Sequence, residues 1–310
     1  MTPRVSVVVP THDRPERLAR TLAALRAQTL RADEFEVVVV DDGSGPETRA
    51  LLEREQAMVG PALLVIRRDS AGGPARARND GWPVARAPVV GFTDDDCEPT
   101  PGWLAAGLEA CGEGDVFVQG PTRPNPEEAE SRGPYAHTLE VEQLGPWWET
   151  ANIFYPRAAL EAAGGFDADA FPRTGEDCDL GWRAIDAGWQ PTWAPRAVVH
   201  HAVTDVGPRG KLRLGWRWDG TMLVFKRHPQ LRKQLVLNLF WTRNHWWLVR
   251  AAIALALPTR LWWLRWWLAA PYVLRLGSPR PDVAAVLTLH DLIEMAACVR
   301  GGIRYRTPVA

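Results

Sequence analysis

Short β-branched runs alternate with amphipathic stretches at the start of the chain, and this alternation limits the possible folds more than any other feature. Strands are predicted at Val5 to Pro10, Glu36 to Val40, Ala62 to Ile66 and Val89 to Thr93. The helices predicted between them run from Pro15 to about Gln28, Glu47 to Val59 and Ala75 to Val84, with Asp13 as the first N-cap. This order is typical of an α/β domain whose mostly parallel sheet is flanked by helices.

Three adjacent carboxylates, Asp94, Asp95 and Asp96, follow the apolar run that ends at Phe92. Like charges at the end of a buried strand favour a bound cation, because buried charge is costly unless it is paired. Mg²⁺ or Mn²⁺ suits oxygen ligands and usually completes its shell with substrate phosphates. On these residues alone, a water-facing acidic turn is the alternative.

Unusual polar residues also follow two earlier strands, at Thr11 to Asp13 and at Asp41 to Ser44. In open α/β sheets, ligands bind at the carboxyl ends of the strands. Three strand ends marked in succession therefore favour a binding site over an ordinary turn. No strand leads into a Gly-x-Gly-x-x-Gly turn and no Walker lysine is present, which argues against nicotinamide, flavin and P-loop enzymes.

The segment from about 112 to 160 is rich in Pro, Gly and Glu and has little periodicity, so it is predicted as irregular loop. Order is expected to resume at Trp147 and Trp148, followed by a helix from Pro156 to Ala163.

Charge and tryptophan divide the chain unevenly. Residues 1–204 hold 19 Lys/Arg and 32 Asp/Glu, whereas residues 205–310 hold 17 and 5, and nine of the 16 tryptophans follow residue 204. Basic and aromatic residues together favour a membrane–water interface. Arginines interrupt the apolar stretch too often for a spanning helix, so helices lying on a membrane are expected. Packing of these tryptophans onto the first domain or a second subunit is the alternative.

The four cysteines have no Cys-x-x-Cys spacing, which fits a reducing cytoplasm. The first strand is too short and wrongly flanked for an export signal. We therefore expect a cytoplasmic protein, peripheral to the inner face of the cell membrane, with no nucleic-acid partner.

The combined motifs resemble the family 2 glycosyltransferases, in the family's order over about residues 4–205. That resemblance implies the Rossmann-like GT-A fold and a nucleotide-diphospho-sugar donor. The matching pieces are Val7 to Thr11, Asp41 to Ser44, Ala77 to Asn79, Asp94 with Asp96, Asn152 with Gly164 to Asp167, and Gly175 to Asp177 with Asp179, Leu180 and Arg183.

The resemblance also implies roles for single residues. Pro10, Thr11 and Asp42 are expected at the nucleoside, and Arg78 near the nucleotide. Asp94 and Asp96 are expected to hold Mn²⁺ or Mg²⁺ against the diphosphate, completed by His200, with His201 as second choice. Asp177 is expected to be the general base, with Glu176 as its rival. Residues expected near the acceptor are Trp147, Trp148 and Asn152.

The sequence thus predicts an inverting, metal-dependent glycosyltransferase domain at 1–205 and a basic, Trp-rich helical region at 206–310 that associates with a membrane. The expected acceptor is a hydroxyl of a lipid-linked or polysaccharide glycan of the cell envelope. Two alternatives stay open: a sugar nucleotidyltransferase, and a membrane-bound scaffold or sugar-binding protein with a degenerate transferase domain.

Overall fold

The computed structural model describes residues 2–112, 114–277 and 280–309, so the predicted domain ends at Met1 and Ala310 lie outside it. The chain forms two compact units. The first comprises Met1–Arg132 and His137–Thr204, and the second comprises Gly133–Ala136 and Asp205–Ala310.

Twelve short strands occur among the described residues, most of them in the first unit. In chain order they are β1 (Val5–Thr11), β2 (Phe35–Asp41), β3 (Ala62–Arg67), β4 (Val89–Phe92), β5 (Cys97–Pro99), β6 (Val116–Gln119), β7 (Thr122–Pro124), β8 (Ala136–His137), β9 (Ile153–Pro156), β10 (Gln190–Trp193), β11 (Val199–His201) and β12 (Thr204–Asp205). Helices of the first unit are α1 (Pro15–Arg26), α2 (Pro46–Gln56), α3 (Pro74–Gly81), α4 (Trp103–Cys111), α5 (Arg157–Ala163) and α6 (Glu176–Asp186).

Seven strands form the central sheet in the order β10-β6-β9-β4-β1-β2-β3. Only β9 is antiparallel to its neighbours β4 and β6. Every residue of β1 and β2 is buried, as expected for valine-rich strands covered on both faces. The mostly parallel α/β architecture predicted from the alternation is therefore confirmed.

The register of the sheet brings together the strand ends that are followed by polar residues. Thr11 lies opposite Asp41 across β1 and β2, and Val8 lies opposite Phe92 across β1 and β4. A second sheet, β5-β11-β7, pairs Cys97 with His201 and so fixes the residues that follow the acidic triplet. Sheet topology thus places these polar turns at one edge of the first unit.

The expectation of an irregular loop at 112–160 was wrong for its two ends. There β6 and β9 are inner strands of the central sheet, with Phe117, Val118, Ile153 and Phe154 fully buried. Strands of four residues are too short to show a period of two, so flanking Gly and Pro dominated the pattern. The cap prediction was also wrong, because Arg14 occupies the N-cap of α1 and the Asp13 carboxylate accepts from the Gly45 amide at 2.7 Å.

The second unit is helical. Its helices are α7 (Gly207–Gly215), α8 (Met222–Arg227), α9 (Arg243–Ala256), α10 (Trp262–Leu276) and α11 (Pro281–Tyr305). Helix α11 packs against α7, α8 and α9, while α10 packs mainly on α9. Among the described residues, no helix combines the length and the apolar character needed to cross a membrane.

Candidate active site

The three carboxylates of the acidic triplet have different partners. Arg78 Nη2 donates to Asp94 Oδ1 at 2.6 Å. Thr11 Oγ1 donates to Asp95 Oδ2 at 2.8 Å, and Arg14 Nη1 contacts both Asp95 Oδ1 at 3.2 Å and Asp96 Oδ2 at 2.8 Å. The triplet is therefore a turn whose charges are balanced by two arginines, one buried and one half-exposed.

Asp95 is the inward-facing member of the triplet. Burial raises its pKa to about 6, against the opposing effect of Arg14 and with a smaller contribution from Asp96. Its backbone carbonyl accepts from the Thr21 hydroxyl of α1 at 3.0 Å. Asp95 thus ties the turn after β4 to the end of β1 and to α1, and leaves Asp94 and Asp96 at the surface of the site.

Arg78 joins the triplet to the first turn of α6. Its buried guanidinium donates to Asp94 and, through Nη1, to Glu176 Oε1 at 3.2 Å. It also lies over the Phe166 ring, 5.8 Å from the centroid. Burial by itself would lower the pKa of Arg78, but Asp94 and Glu176 raise it. A charged arginine therefore connects two motifs that are distant in sequence.

Glu176 and Asp177 begin α6 directly after Gly175, whose φ of 98° favours glycine. Glu176 is only 6% exposed, whereas Asp177 is partly exposed. Burial raises the pKa of Asp177 well above its ordinary value, and the neighbouring carboxylates Glu176 and Glu149 raise it further. The site therefore makes Asp177 a stronger base than a solvated aspartate and places it nearer to solvent than its neighbour.

Backbone amides and arginine guanidinium groups hold the carboxylates at the end of β2. Asp41 accepts from the Ser44 amide at 2.8 Å and pairs with Arg67. Asp42 accepts from the amides of Gly72 and Gly73 at 2.8 Å and pairs with Arg68 at 2.8 Å. Asp42 thus fixes the turn that leads into α3, next to the buried Pro10 and Thr11 at the end of β1.

Asp96 and His201 form the part of the site best suited to a divalent cation. His201 Nε2 lies 3.6 Å from Asp96 Oδ1, and the thiol of Cys97 completes a group of possible ligand atoms within 4.8 Å of one another. His201 Nδ1 lies 2.8 Å from the Ala202 carbonyl, so Nε2 is the ring nitrogen that faces Asp96. Burial raises the pKa of the Cys97 thiol well above its ordinary value, so it is a poor ligand.

This donor set combines carboxylate oxygen with imidazole nitrogen, both of which are ligand types for divalent cations. His200, the expected ligand, lies instead opposite Glu98 and Arg123 in the second sheet. Successive side chains of a strand point to opposite faces, so His200 and His201 cannot both reach Asp96. The structure therefore brings the second choice, His201, to the acidic turn and not His200.

A sequence model described as "Glycosyl transferase family 2" matches residues 6–167, and one described as "Glycosyl transferase family group 2" matches residues 138–279. The chain belongs to glycosyl transferase family 2. It is 30% identical over 282 residues to a validoxylamine A glucosyltransferase of Streptomyces hygroscopicus, a match that covers 77% of this chain and 63% of that protein. This family 2 chain thus spans less than two thirds of that relative's length.

It is also 28% identical over 212 residues to glycosyltransferase AglE of Haloferax volcanii, covering 66% of this chain and 69% of that protein. Among solved structures, the mannosyltransferase PcManGT from Pyrobaculum calidifontis, in complex with GDP-Man and Mn²⁺, superposes with a TM-score of 0.63 at 21% identity. That match covers 97% of this chain and 87% of the mannosyltransferase. It confirms the predicted GT-A fold.

Several family 2 motif residues have structural partners in this chain. Asn79 holds both backbone groups of Phe166, at 2.7 and 2.9 Å. Arg183 bonds Asp179 Oδ2 at 2.8 Å and the Gly165 carbonyl at 2.7 Å. These contacts fasten the loop around residues 164–167 to α3 and α6, and so position Phe166 beneath Arg78.

Two of the three residues expected near the acceptor are buried. Trp148 is 3% exposed, and its ring packs edge-on to Phe117 at 5.2 Å. Asn152 donates to the carbonyls of Pro121 and Ala197 at 2.8 and 2.7 Å and accepts from the Trp103 indole at 2.8 Å. Neither side chain is presented to a ligand, because both complete the core. Trp147 is partly exposed.

Sequence reasoning missed Arg14 and Glu149, which lie in the two parts of the site. Arg14 directly follows the polar run Thr11 to Asp13 at the end of the first strand, and this position would have indicated it. Glu149, held by Gln119 at 2.7 Å, follows the tryptophan pair in a segment without periodicity. Its link to Asp177 depends on tertiary packing and left no local signal.

Proposed function

We propose that this protein is an inverting glycosyltransferase that moves a sugar from a nucleotide-diphospho-sugar to an acceptor hydroxyl. The observation that carries the proposal is the Arg78 bridge, which joins Asp94 of the acidic turn to Glu176, the neighbour of Asp177. A leaving-group site and a base are the two parts that such a displacement needs, and one buried guanidinium connects the acidic turn to the first turn of α6, where Asp177 lies.

The donor's nucleoside is proposed to lie at the ends of β1 and β2, against Pro10, Thr11 and Asp42. Asp96 and His201 are proposed to hold the metal, with Asp94 on the side of the donor diphosphate. When bound, a divalent cation stabilises the negative charge that develops on the departing diphosphate. The structural neighbour was solved with GDP-Man and Mn²⁺, which supports a nucleotide-diphospho-sugar and a divalent cation as the bound groups.

Asp177 is proposed to accept the acceptor's hydroxyl proton as that oxygen attacks the anomeric carbon. The hydroxyl becomes acidic only as the new bond forms, so a positioned carboxylate with a raised pKa is adequate. Glu176 is the weaker candidate because its carboxylate is buried and bonded to Arg78.

The acceptor is proposed to be a lipid-linked or polysaccharide glycan, and residues 206–310 are proposed to associate with the inner face of the cell membrane. The supporting observation is the charge division of the chain, with 17 basic and 5 acidic residues after residue 204. Release from isolated membranes by high salt alone would support an electrostatic, peripheral contact.

A panel of nucleotide-diphospho-sugars tests the main proposal. Each is added with and without Mn²⁺, and both the melting temperature and hydrolysis are followed, because a ligand of the native state raises the melting temperature by mass action. We expect one nucleotide class to stabilise the protein only with the metal. No shift with any compound would favour the scaffold alternative.

A further inference from the structure

The hairpin formed by α9 and α10 leaves an apolar, tryptophan-rich surface uncovered. Four tryptophans of α10 are 59–66% exposed, and on α9 Leu255 is 77% exposed. The tryptophans occur at positions 262, 263, 266 and 267, a spacing that groups them along one side of the helix. Large exposed apolar patches mark interaction sites rather than ordinary surface.

The hairpin holds this surface in a fixed shape. Arg250 Nη2 of α9 donates to the Trp267 carbonyl of α10 at 2.9 Å, and its guanidinium lies 4.8 Å from the Trp267 ring centroid. Between the two helices runs a groove of about 420 Å³. Its lining includes Leu255 of α9 and Trp262, Arg265, Trp266 and Val273 of α10.

The charges around the groove identify its occupant. Residues 241–277 contain five arginines and neither aspartate nor glutamate. Arg275 is paired with Asp291 at 2.7 Å, but Arg260 and Arg265 form no salt bridge with any residue that the structure describes. Unpaired cations beside an apolar groove are complementary to a molecule with an anionic head and an apolar tail.

We propose that the α9–α10 hairpin is a binding site for anionic phospholipid in a bilayer surface. An acyl chain lies in the groove, the exposed tryptophans sit at the level of the headgroups, and Arg260 and Arg265 pair with lipid phosphate. Arginine suits this role because its guanidinium binds phosphate while its apolar stem lies along the membrane. The inference rests on the membrane attachment proposed above, not on the transfer chemistry.

Vesicle co-sedimentation tests it with the full chain. Vesicles of phosphatidylcholine alone are compared with vesicles that also contain phosphatidylglycerol. We expect the wild type to bind the anionic vesicles at least about tenfold more tightly, with a blue shift of tryptophan fluorescence and weakening in high salt. Equal binding to both compositions would overturn the proposal.

Paired variants separate the two parts of the surface. Replacing Arg260 and Arg265 by Gln should remove the preference for anionic vesicles, and replacing Trp262 and Trp266 by Ser should weaken binding to both compositions. Met58 and Val59 of the first unit are 52% and 100% exposed. Replacing both by Ser is the matched control and should leave vesicle binding unchanged. Unchanged vesicle binding by the Trp262 and Trp266 variant would contradict the assignment of the α9–α10 hairpin as the lipid-binding site.

Two further readouts complete the test. Stabilisation by Mn²⁺ with nucleotide should be the same in every variant, so loss of lipid binding and failure of the proposed transfer activity are distinguishable. A second copy of this chain is the competing occupant. A dimer in solution that dissociates when Trp262 and Trp266 are replaced, together with no vesicle binding, would refute the lipid proposal.

Discussion

The arginines of the two units differ in what they face. In the first unit, Arg14, Arg67, Arg68 and Arg78 each contact a carboxylate at the edge of the sheet where β1, β2 and β4 end. In the α9–α10 hairpin, Arg260 and Arg265 contact none among the described residues. The difference teaches that arginines of the first unit hold carboxylates of the site in place, whereas Arg260 and Arg265 have no carboxylate partner among the described residues and are proposed to pair with an external anion.

Replacing Arg78, the most buried of these arginines, should have the largest effect on the free energy of unfolding. Arg78→Gln leaves Asp94 and Glu176 without their shared cation, and removal of one partner of a buried pair costs about 3–5 kcal/mol. The matched change Arg265→Gln should alter the free energy of unfolding by less than about 0.5 kcal/mol. Urea unfolding measures both, and similar values for the two variants would contradict the distinction.

The cation site proposed for the first unit should give the next largest effect. Asp96→Asn should lower kcat/KM by about 100-fold or more, because a metal supplies several kcal/mol of charge stabilisation. His201→Ala should weaken Mn²⁺ binding in calorimetry, and His200→Ala should leave it unchanged. The reverse order of the two histidine variants would restore His200 as the ligand.

Arg14 is intermediate between the two groups of arginines, because it contacts carboxylates of the first unit and yet is half-exposed. Its Nη1 lies 2.8 Å from Oδ2 of Asp96, the residue whose carboxylate is proposed to hold the metal, so the guanidinium and the metal would compete for that carboxylate. Arg14→Gln should therefore tighten Mn²⁺ binding to the ligand-free protein by about two- to fivefold, the value of one exposed ion pair. Arg31→Gln, which removes a surface pair with Asp33, is the control. Weaker Mn²⁺ binding by the Arg14 variant would count against competition.

The first unit shows how far sequence reasoning reaches. The strands β1 to β4 and the polar turns after three of them were predictable, because valine-rich runs and Asp-rich turns are local signals. The inner strands β6 and β9 were not, since four residues carry too little pattern. The register of β11 determines that His201 and not His200 faces Asp96, and no local sequence pattern predicts that register.

Burial decided the remaining differences. Trp148 and Asn152 carry the residue types of a sugar site, yet one packs on Phe117 and the other completes the bonding of two backbone carbonyls. Arg78 was expected only near the nucleotide, and its place beneath two carboxylates became visible only in the fold. Residue type suggested chemistry, but exposure determined which side chains are available for it.

The central claim is that Asp177 is the general base, and its raised pKa predicts two consequences. Since the folded pKa is raised, a charged Asp177 destabilises the fold once the pH rises above its ordinary value, so Asp177→Asn should increase the melting temperature at neutral pH. Wild-type transfer should in turn decline as the pH falls through the raised pKa, because the base becomes protonated.

The most direct measurement is transfer by Asp177→Asn under saturating donor and Mn²⁺, with donor affinity measured on the same preparation and Glu176→Gln as the matched variant. We predict that Asp177→Asn lowers transfer by about 10²–10⁴-fold with donor affinity unchanged. Glu176→Gln should retain transfer within about tenfold of the wild type. Full activity in Asp177→Asn, or the greater loss in Glu176→Gln, would contradict the assignment of the base.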